Sequence, residues 1–359
     1  MGQTVNGEKR YEIVFGETFA RYSKAEYLEF MAPFKVRFER NNLSVDMFKG
    51  KKCLDAGCGN GRGSLFMLQN GASHVTCLDF SHKNIESVNR FLADFGFSNF
   101  TAQQGSLEAI PFEDQTFDFV WCNGVVMHTE HPNRCMEELA RVLKVGGGSW
   151  LYIYGSGGVY WRLMQLIRTL VHDIPAELCI EALQLLRYET RYVAEFIDDW
   201  YATHLRTYTI KDLGARLDAL GYTGTTPLKF GMDYDSSHRI NTTNTAEEKI
   251  LMGEGDLRYL LHKKASPDSD ENLLLEGEYG SEYAWPEAIT TTLDKIFAEC
   301  AARCNSDMKK IAFAAHLQRE LRLLLTNSGA FSLETLQGVM RTLRKMLVGV
   351  ERIDSPPGL

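Results

Sequence analysis

The sequence contains no CxxC pair, no unbroken apolar run of the ~18 to 20 residues that a bilayer span needs, and no surplus of positive charge. Each absence closes off a class of function. The eight cysteines, Cys53, Cys58, Cys77, Cys122, Cys135, Cys179, Cys300 and Cys304, are no disulfide framework in a chain of 359 residues and are expected to be reduced and inert. The longest apolar candidate, Val145 to Trp161, is interrupted by six glycines, so no membrane partner is expected. The start of the chain lacks the apolar core of a signal peptide, and Asn6 stands where a myristoylation site carries Ser or Thr, which leads to the expectation of a cytoplasmic protein. Lys and Arg number 39 against 47 Asp and Glu, a formal charge of −8. This removes the broad positive field that non-specific nucleic-acid or anionic-membrane binding requires.

What is present describes a soluble globular chain, 44% hydrophobic and 24% charged, long enough for one large α/β domain with additions or for two domains. Residues 1–50 read as a helical cap, with Ser23 and Glu26 spaced as a capping box ahead of Tyr27, Leu28, Phe30, Met31 and Phe34. From Lys51, short apolar runs alternate with helical stretches. The runs are 53–56, 74–78, 100–103, 117–122 and 150–154; the helices are 63–69, 82–95 and 133–143. This alternation predicts parallel βαβ units, hence a doubly wound, Rossmann-like, mostly parallel sheet with every post-strand loop on one edge.

After Tyr154 the alternation stops, and residues 155–206 read as a Trp- and Tyr-rich helical insertion. A helix then starts at Thr209 with Asp212 completing its cap, Leu213, Leu217 and Leu220 on its buried stripe and Gly221 at its end, followed by a weak strand at Thr225 to Phe230. The α/β domain is thereby expected to occupy 51–245, and 246–359 to be a helical region with segments at 285–303, 307–326 and 333–348. In the last, Leu333, Leu336, Met340, Leu343 and Leu347 recur at 3-4-3-4 spacing. That stripe suits packing on the main domain, and it equally suits a partner or a homodimer.

The segment that carries chemistry is Leu54-Asp55-Ala56-Gly57-Cys58-Gly59-Asn60-Gly61, between the first strand and the first helix. Its glycines permit a tight turn and let a ligand approach unpaired helix N–H groups. Further on, the second strand ends in Leu78-Asp79-Phe80, an acid where ribose hydroxyls bind in nucleoside sites. A dinucleotide site wants GxGxxG under a pyrophosphate, whereas here the glycines are spaced Gly57-x-Gly59-x-Gly61 and preceded by Asp55. A carboxylate there repels an anion and favours a ligand bearing an ammonium and a sulfonium, so charge selects S-adenosylmethionine over NAD.

At this point residues 51–154 resemble the class I S-adenosylmethionine-dependent methyltransferases, and within them the ubiquinone/menaquinone-biosynthesis-like branch. Five motifs fall in order: Leu54 to Gly61; Asp79; Gly105-Ser106-Leu107-Glu108-Ala109-Ile110-Pro111-Phe112; Phe117 to Val120 with Cys122-Asn123-Gly124; and Arg141 to Gly148. The resemblance implies that Asp55, Gly57, Cys58 and Gly59 border the methionine part of the cofactor and that Gly61 starts the helix. It implies that Asp79 accepts the ribose hydroxyls, Phe80 lies against adenine, Ser106 and Leu107 meet the adenine edge, and Asn123 and Gly124 sit near the sulfonium. Two positions depart from the family pattern: Ser106, usually Asp, which accepts a hydrogen bond more weakly, and Val145, usually Pro. An N-terminal stretch, Tyr11 to Tyr22, either covers the cofactor or is simply a packed helix.

The implied reaction is in-line methyl transfer to a small-molecule acceptor, in which the protein aligns the reactants and excludes water. A hydroxyl or a protonated amine needs a base, and His128 and then His131 are the candidates; either histidine instead serves equally well as a hydrogen-bonding member of its loop. Tyr154, Tyr160 and Trp161 are candidate acceptor-side residues, with core or lid packing as the plain alternative; His204 and Asp198 to Tyr201 are weaker candidates, with a solvated helix face as theirs. The fourth strand ends without a carboxylate cluster, so no metal is expected. A second reading shares every motif: a methyltransferase fold whose C-terminal helices dock a protein, with a macromolecular acceptor or no catalysis.

Overall fold

The computed structural model describes residues 10–228, 253–264, 287–327 and 341. The chain divides into two compact units. The first comprises Met1–Gly155, Thr203–Thr242 and Asp256–Tyr279, the second Ser156–Ala202, Thr243–Gly255 and Gly280–Leu359.

In the first unit a seven-stranded sheet runs in the order β3-β2-β1-β4-β5-β7-β6. Its strands are β1 (Lys52–Ala56), β2 (His74–Asp79), β3 (Phe100–Gln104), β4 (Phe117–Asn123), β5 (Leu143–Tyr154), β6 (Tyr222–Thr223) and β7 (Asp256–Lys263). Strands β1 to β5 pair in parallel, and β7 is antiparallel to both its neighbours. The helices of this unit are α1 (Lys24–Arg40), α2 (Arg62–Gln69), α3 (His82–Asp94), α4 (Pro132–Val142) and, later in the chain, α8 (Ile210–Ala219). Order reversal between β1 and β4 places the switch point, and so the ligand crevice, at the carboxyl ends of those two strands. The fold is the Rossmann-like α/β class.

Local chemistry explains these elements. Ser23 and Glu26 close the capping box of α1 reciprocally, with Glu26 N–H on Ser23 Oγ and Ser23 N–H on Glu26 Oε2. Helix α1 then buries Phe34 and Phe38 against Phe66, Trp121 and Trp150. Trp121 and Trp150 are register partners on β4 and β5 and stack at 4.9 Å with planes 7° apart, a cross-strand pair that fixes the alignment of the two strands.

The sheet extends further than the periodicity indicates. Sequence pattern ends the α/β layer near residue 245, whereas Asp256–Lys263 forms β7 and lies between β5 and β6. Its charged residues disguise it: buried Arg258 pairs with Asp256 at 3.0 Å, and buried Lys263 donates to the carbonyls of Ala140 and Leu143 at 2.6 and 2.9 Å. Lys263 thus satisfies carbonyls at the end of α4. The strand expected at Thr225 to Phe230 is not formed in its described part, to Leu228; Tyr222–Thr223 pairs with β7 instead.

The second unit contains α5 (Gly158–Val171), α6 (Ala176–Leu185), α7 (Thr190–Tyr201), α9 (Glu287–Arg303) and α10 (Asp307–Asn327). It is organised round buried polar bonds. Asp199 Oδ2 accepts from Tyr160 Oη at 2.8 Å and from Gln318 Nε2 at 2.6 Å, while Trp200 Nε1 donates to Gln318 Oε1 at 2.7 Å. Arg162 Nε donates to Asp294 Oδ1 at 3.1 Å, which ties α5 to α9. The segment at 333–348, with its leucine stripe, lies outside the described residues apart from Arg341. Among the described residues no helix is long and apolar enough to cross a membrane.

Candidate functional site

The loop from Gly57 to Gly61 turns away from β1 with three glycines at positive φ, 73°, 52° and 88° for Gly57, Gly59 and Gly61. The N–H groups of Gly57 and Cys58 donate to the carbonyl of Leu78 at 2.8 and 3.0 Å, binding the loop to the end of β2. A Cβ on Gly57 would stand 2.5 Å from both methyls of Val125, so this glycine is required both for its backbone angle and for its neighbour.

Asp79, 2% exposed, anchors the same loop from the other side. Its Oδ2 accepts from Gly59 N–H at 2.8 Å, and its Oδ1 accepts from Ser81 N–H at 2.9 Å and from Asn84 Nδ2 at 3.1 Å. Burial pushes its pKa up and these three bonds oppose the rise. Asp55, buried beneath the loop, accepts from Ser64 Oγ at 2.6 Å, and burial pushes its pKa up to about 7. Gly63, in the first turn of α2, lets that helix approach: a Cβ there would stand 2.7 Å from Trp121 Nε1 and 2.9 Å from Asp55 Oδ2.

Three aromatic residues of the N-terminal arm, Tyr11, Phe15 and Phe19, reach across this edge of the sheet. Tyr11 meets Phe80 edge-on at 5.2 Å, Phe15 tilts against the His128 ring at 5.3 Å, and Phe19 is the nearest group to a Cβ built on Gly59, at 3.9 Å. Glu12 fixes the arm in place by accepting from Ser81 Oγ at 2.7 Å and from His82 N–H at 2.8 Å at the start of α3. Phe80 itself remains 37% exposed.

Ser106 follows Gly105, whose N–H donates to the carbonyl of Asp79 at 2.9 Å. Its hydroxyl oxygen accepts from Glu108 N–H at 3.1 Å and starts a short turn that buries Leu107. Asn123 Oδ1 accepts from Trp150 Nε1 at 3.0 Å, so its side chain holds the sheet together while the backbone continues into Gly124, at φ 79°. A few residues on, buried His128 donates from Nδ1 to the carbonyl of His204 at 3.0 Å and meets the Tyr154 ring edge-on at 5.5 Å. His131 is exposed; its N–H donates to Glu108 Oε1 at 3.0 Å, just ahead of α4.

The first unit therefore gathers Asp55, Gly57, Cys58, Gly59, Gly61, Asp79, Phe80, Ser106, Leu107, Asn123, Gly124, His128, Tyr154 and His204 at the carboxyl edge of its sheet. Tyr160 and Trp161 belong to the second unit, where Tyr160 is held by Asp199 and its ring meets Trp161 at 5.2 Å. Sequence reading passed over Glu12, Ser64, Gly63, Ser81 and Asn84. Ser81 had a signal, as a helix N-cap three residues ahead of Asn84; the others act through long-range contacts that no local pattern announces.

Residues 54–151 match the family described as methyltransferase domain. This stretch is a class I S-adenosylmethionine-dependent methyltransferase domain. The glycine/sarcosine/dimethylglycine N-methyltransferase of Actinopolyspora halophila is 32% identical over 104 residues, covering 29% of this chain and 18% of that protein. The sarcosine/dimethylglycine N-methyltransferase of Aphanothece halophytica is 32% identical over 99 residues, 27% of this chain and 36% of that one. The likeness to both is thus confined to a minor part of their length. Among solved structures, the YcgJ protein of Bacillus subtilis aligns with 19% identity and a TM-score of 0.40, over 64% of this chain and 94% of that one.

The residues of the cleft fit S-adenosylmethionine. Asp55 and Asp79 place two buried carboxylates beside the loop; burial raises the cost of ionising both, and the charge of Asp79 adds to it at Asp55, a cost that a sulfonium and an ammonium would relieve. Three donors on the two oxygens of Asp79 leave lone-pair capacity for a ribose hydroxyl.

Proposed function

We propose that the chain transfers a methyl group from S-adenosylmethionine to a small-molecule acceptor by direct in-line displacement, without a metal. The observation that carries the reading is the bond between Asp79 and the glycine loop, which sets an acid and a flexible backbone together at the switch point of the sheet. Bound there, S-adenosylmethionine supplies an electrophilic methyl group on a sulfonium. Asp55, Gly57, Cys58, Gly59 and Gly61 hold its methionine end, with Asn123 and Gly124 beside the sulfonium. Asp79 holds its ribose, and Phe80, Ser106 and Leu107 hold its adenine. A formal charge of −8 is in keeping with a small acceptor and not with nucleic acid.

On the acceptor side, His128 is the base. A carbonyl only accepts, so the bond to His204 puts the imidazole proton on Nδ1 and makes Nε2 the atom that receives a proton from the acceptor. The rings of Phe15 and Tyr154 flank it and exclude water from that exchange. The names of the relatives, N-methyltransferases of glycine derivatives, support a small acceptor and do not specify which one.

The test is a metabolite-pool assay with isotopically methyl-labelled S-adenosylmethionine and the full chain, reading labelled products by mass. A labelled small molecule formed by wild type and lost in Asp79→Ala supports the reading. Label recovered only in protein, or no label above background, refutes it.

A further inference from the structure

The segment from Thr203 to Tyr208 connects the insertion to α8 and runs beside the loop that carries His128. Arg206 is its densest point of attachment. Its backbone N–H donates to the carbonyl of Met127 at 3.1 Å, and its guanidinium donates to the carbonyl of Thr129 and, at 3.1 Å, to that of Glu130. One residue thereby holds three carbonyls in the stretch immediately around His128. Two residues before it, His204 provides the carbonyl that receives His128 Nδ1–H. Two residues after it, Tyr208 N–H donates to the carbonyl of Tyr154 at 2.9 Å, and Tyr208 bridges Gly155 in parallel. Leu205, Thr207 and Tyr208 are buried, so the segment is seated on both sides of Arg206.

We propose that Arg206 is a positioning residue: by clamping the 127–130 carbonyls against the 203–208 segment it holds the His204 carbonyl on His128 Nδ1 and so fixes the imidazole as the Nδ1–H tautomer. This rests on the reading of His128 as the acceptor-side base, and it assigns a function to a segment outside every motif of the cofactor half. The physical basis is the fork of the guanidinium, which serves two carbonyls at once from one rigid plane. A neutral imidazole has only one N–H, and the partner of one nitrogen decides which nitrogen keeps its lone pair. If the clamp loosens, the Nδ1 bond loses its fixed acceptor and both tautomers become populated.

The experiment is nitrogen-15 spectroscopy of the full chain labelled in its histidines, with His128 assigned by its loss in His128→Gln. At a pH where the ring is neutral, wild type is expected to show one protonated-type shift at Nδ1 and one lone-pair-type shift at Nε2. A wild-type ring protonated at Nε2 overturns the proposal without any variant. In Arg206→Met the two shifts are expected to converge as the tautomers mix; unchanged shifts overturn the proposal. Arg206→Lys keeps the charge but serves one carbonyl, and an intermediate convergence is expected; it substitutes for the methionine variant if that one does not fold. Convergence in neither variant counts against the clamp. The readout needs no acceptor, so it is separable from the base reading, which fails if His128→Gln forms the labelled product at the wild-type rate.

Discussion

The N–H of Gly59 donates to Asp79 Oδ2 at 2.8 Å, joining the loop after β1 to the end of β2 through a buried carboxylate. Asp79 is therefore both the proposed ribose acceptor and the support of the loop that holds the rest of the cofactor. Asp79→Ala strands three donors, those of Gly59, Ser81 and Asn84. A hydrogen bond to a charged group is worth about 1.5 to 3 kcal/mol, so affinity for S-adenosylhomocysteine is expected to fall at least ~10-fold, with a lower melting temperature. Titration calorimetry showing wild-type affinity would sink the assignment.

Two helical glycines should respond in opposite directions to alanine. Gly63→Ala drives a methyl to 2.7 Å from Trp121 Nε1 and 2.9 Å from Asp55 Oδ2, both buried and held by their own contacts. Overpacking of this kind costs about 1 to 3 kcal/mol. At Gly214, inside α8, the nearest atom to a new Cβ is the Thr225 carbonyl at 3.7 Å, ordinary contact distance. Alanine there should stabilise by about 0.5 to 1 kcal/mol through helix propensity. Thermal denaturation of both variants decides the matter, and a Gly63→Ala melting temperature equal to wild type would count against the close approach of α2.

The contrast between these glycines shows what the sequence makes legible. Gly57, Gly59 and Gly61 announce themselves because their role is local, a turn between a strand and a helix, and Asp79 because it ends the next strand. Gly63 has no such mark, since the atoms it must avoid belong to β1 and β4. The same division explains β7, whose Lys263 reads as a surface residue until the carbonyls of Ala140 and Leu143 are brought to it by the fold. Ser23 with Glu26 needed only three residues to specify a cap, and it formed as the pattern indicates. Asn123 was legible as a position on the edge of the site, but its bond to Trp150 was not, because the partner arrives from another strand.

In the second unit, burial pushes the carboxyls of adjacent Asp198 and Asp199 up from the ordinary range, and the charge of Asp198 adds to the effect at Asp199 while its bonds to Tyr160 and Gln318 and the charge of Arg168 oppose it. A carboxyl whose folded pKa is raised keeps its proton in the native state over a range where the unfolded chain has released it. Its contribution is thus fully present below about pH 4 and is lost as pH rises toward the folded value. The melting temperature of this unit should fall as pH increases from 5 to ~9 on this account. Asp199→Asn offers an uncharged carbonyl oxygen to Tyr160 and Gln318, and should flatten that slope and exceed wild type at the alkaline end. Calorimetric scans across pH with identical slopes for the two proteins would refute it.

Asp55 provides the corresponding test in the cofactor site. Burial pushes its pKa up to about 7, and Ser64 holds it through a 2.6 Å bond. Near neutrality the carboxyl is therefore divided between its two forms, and a cationic ligand selects the ionised one. Below pH 7 that selection requires loss of a proton, so affinity for S-adenosylmethionine should rise as pH passes through about 7 and level off above it. S-adenosylhomocysteine lacks the sulfonium and should show the smaller rise, so the ratio of the two affinities should shift several-fold toward S-adenosylmethionine between pH 6 and pH ~8. Asp55→Asn removes the titrating group and should leave that ratio constant. Parallel calorimetry of both ligands is sufficient: a ratio that moves equally in wild type and variant would place the titrating charge elsewhere, and a ratio that does not move in wild type would mean that Asp55 does not face the sulfonium.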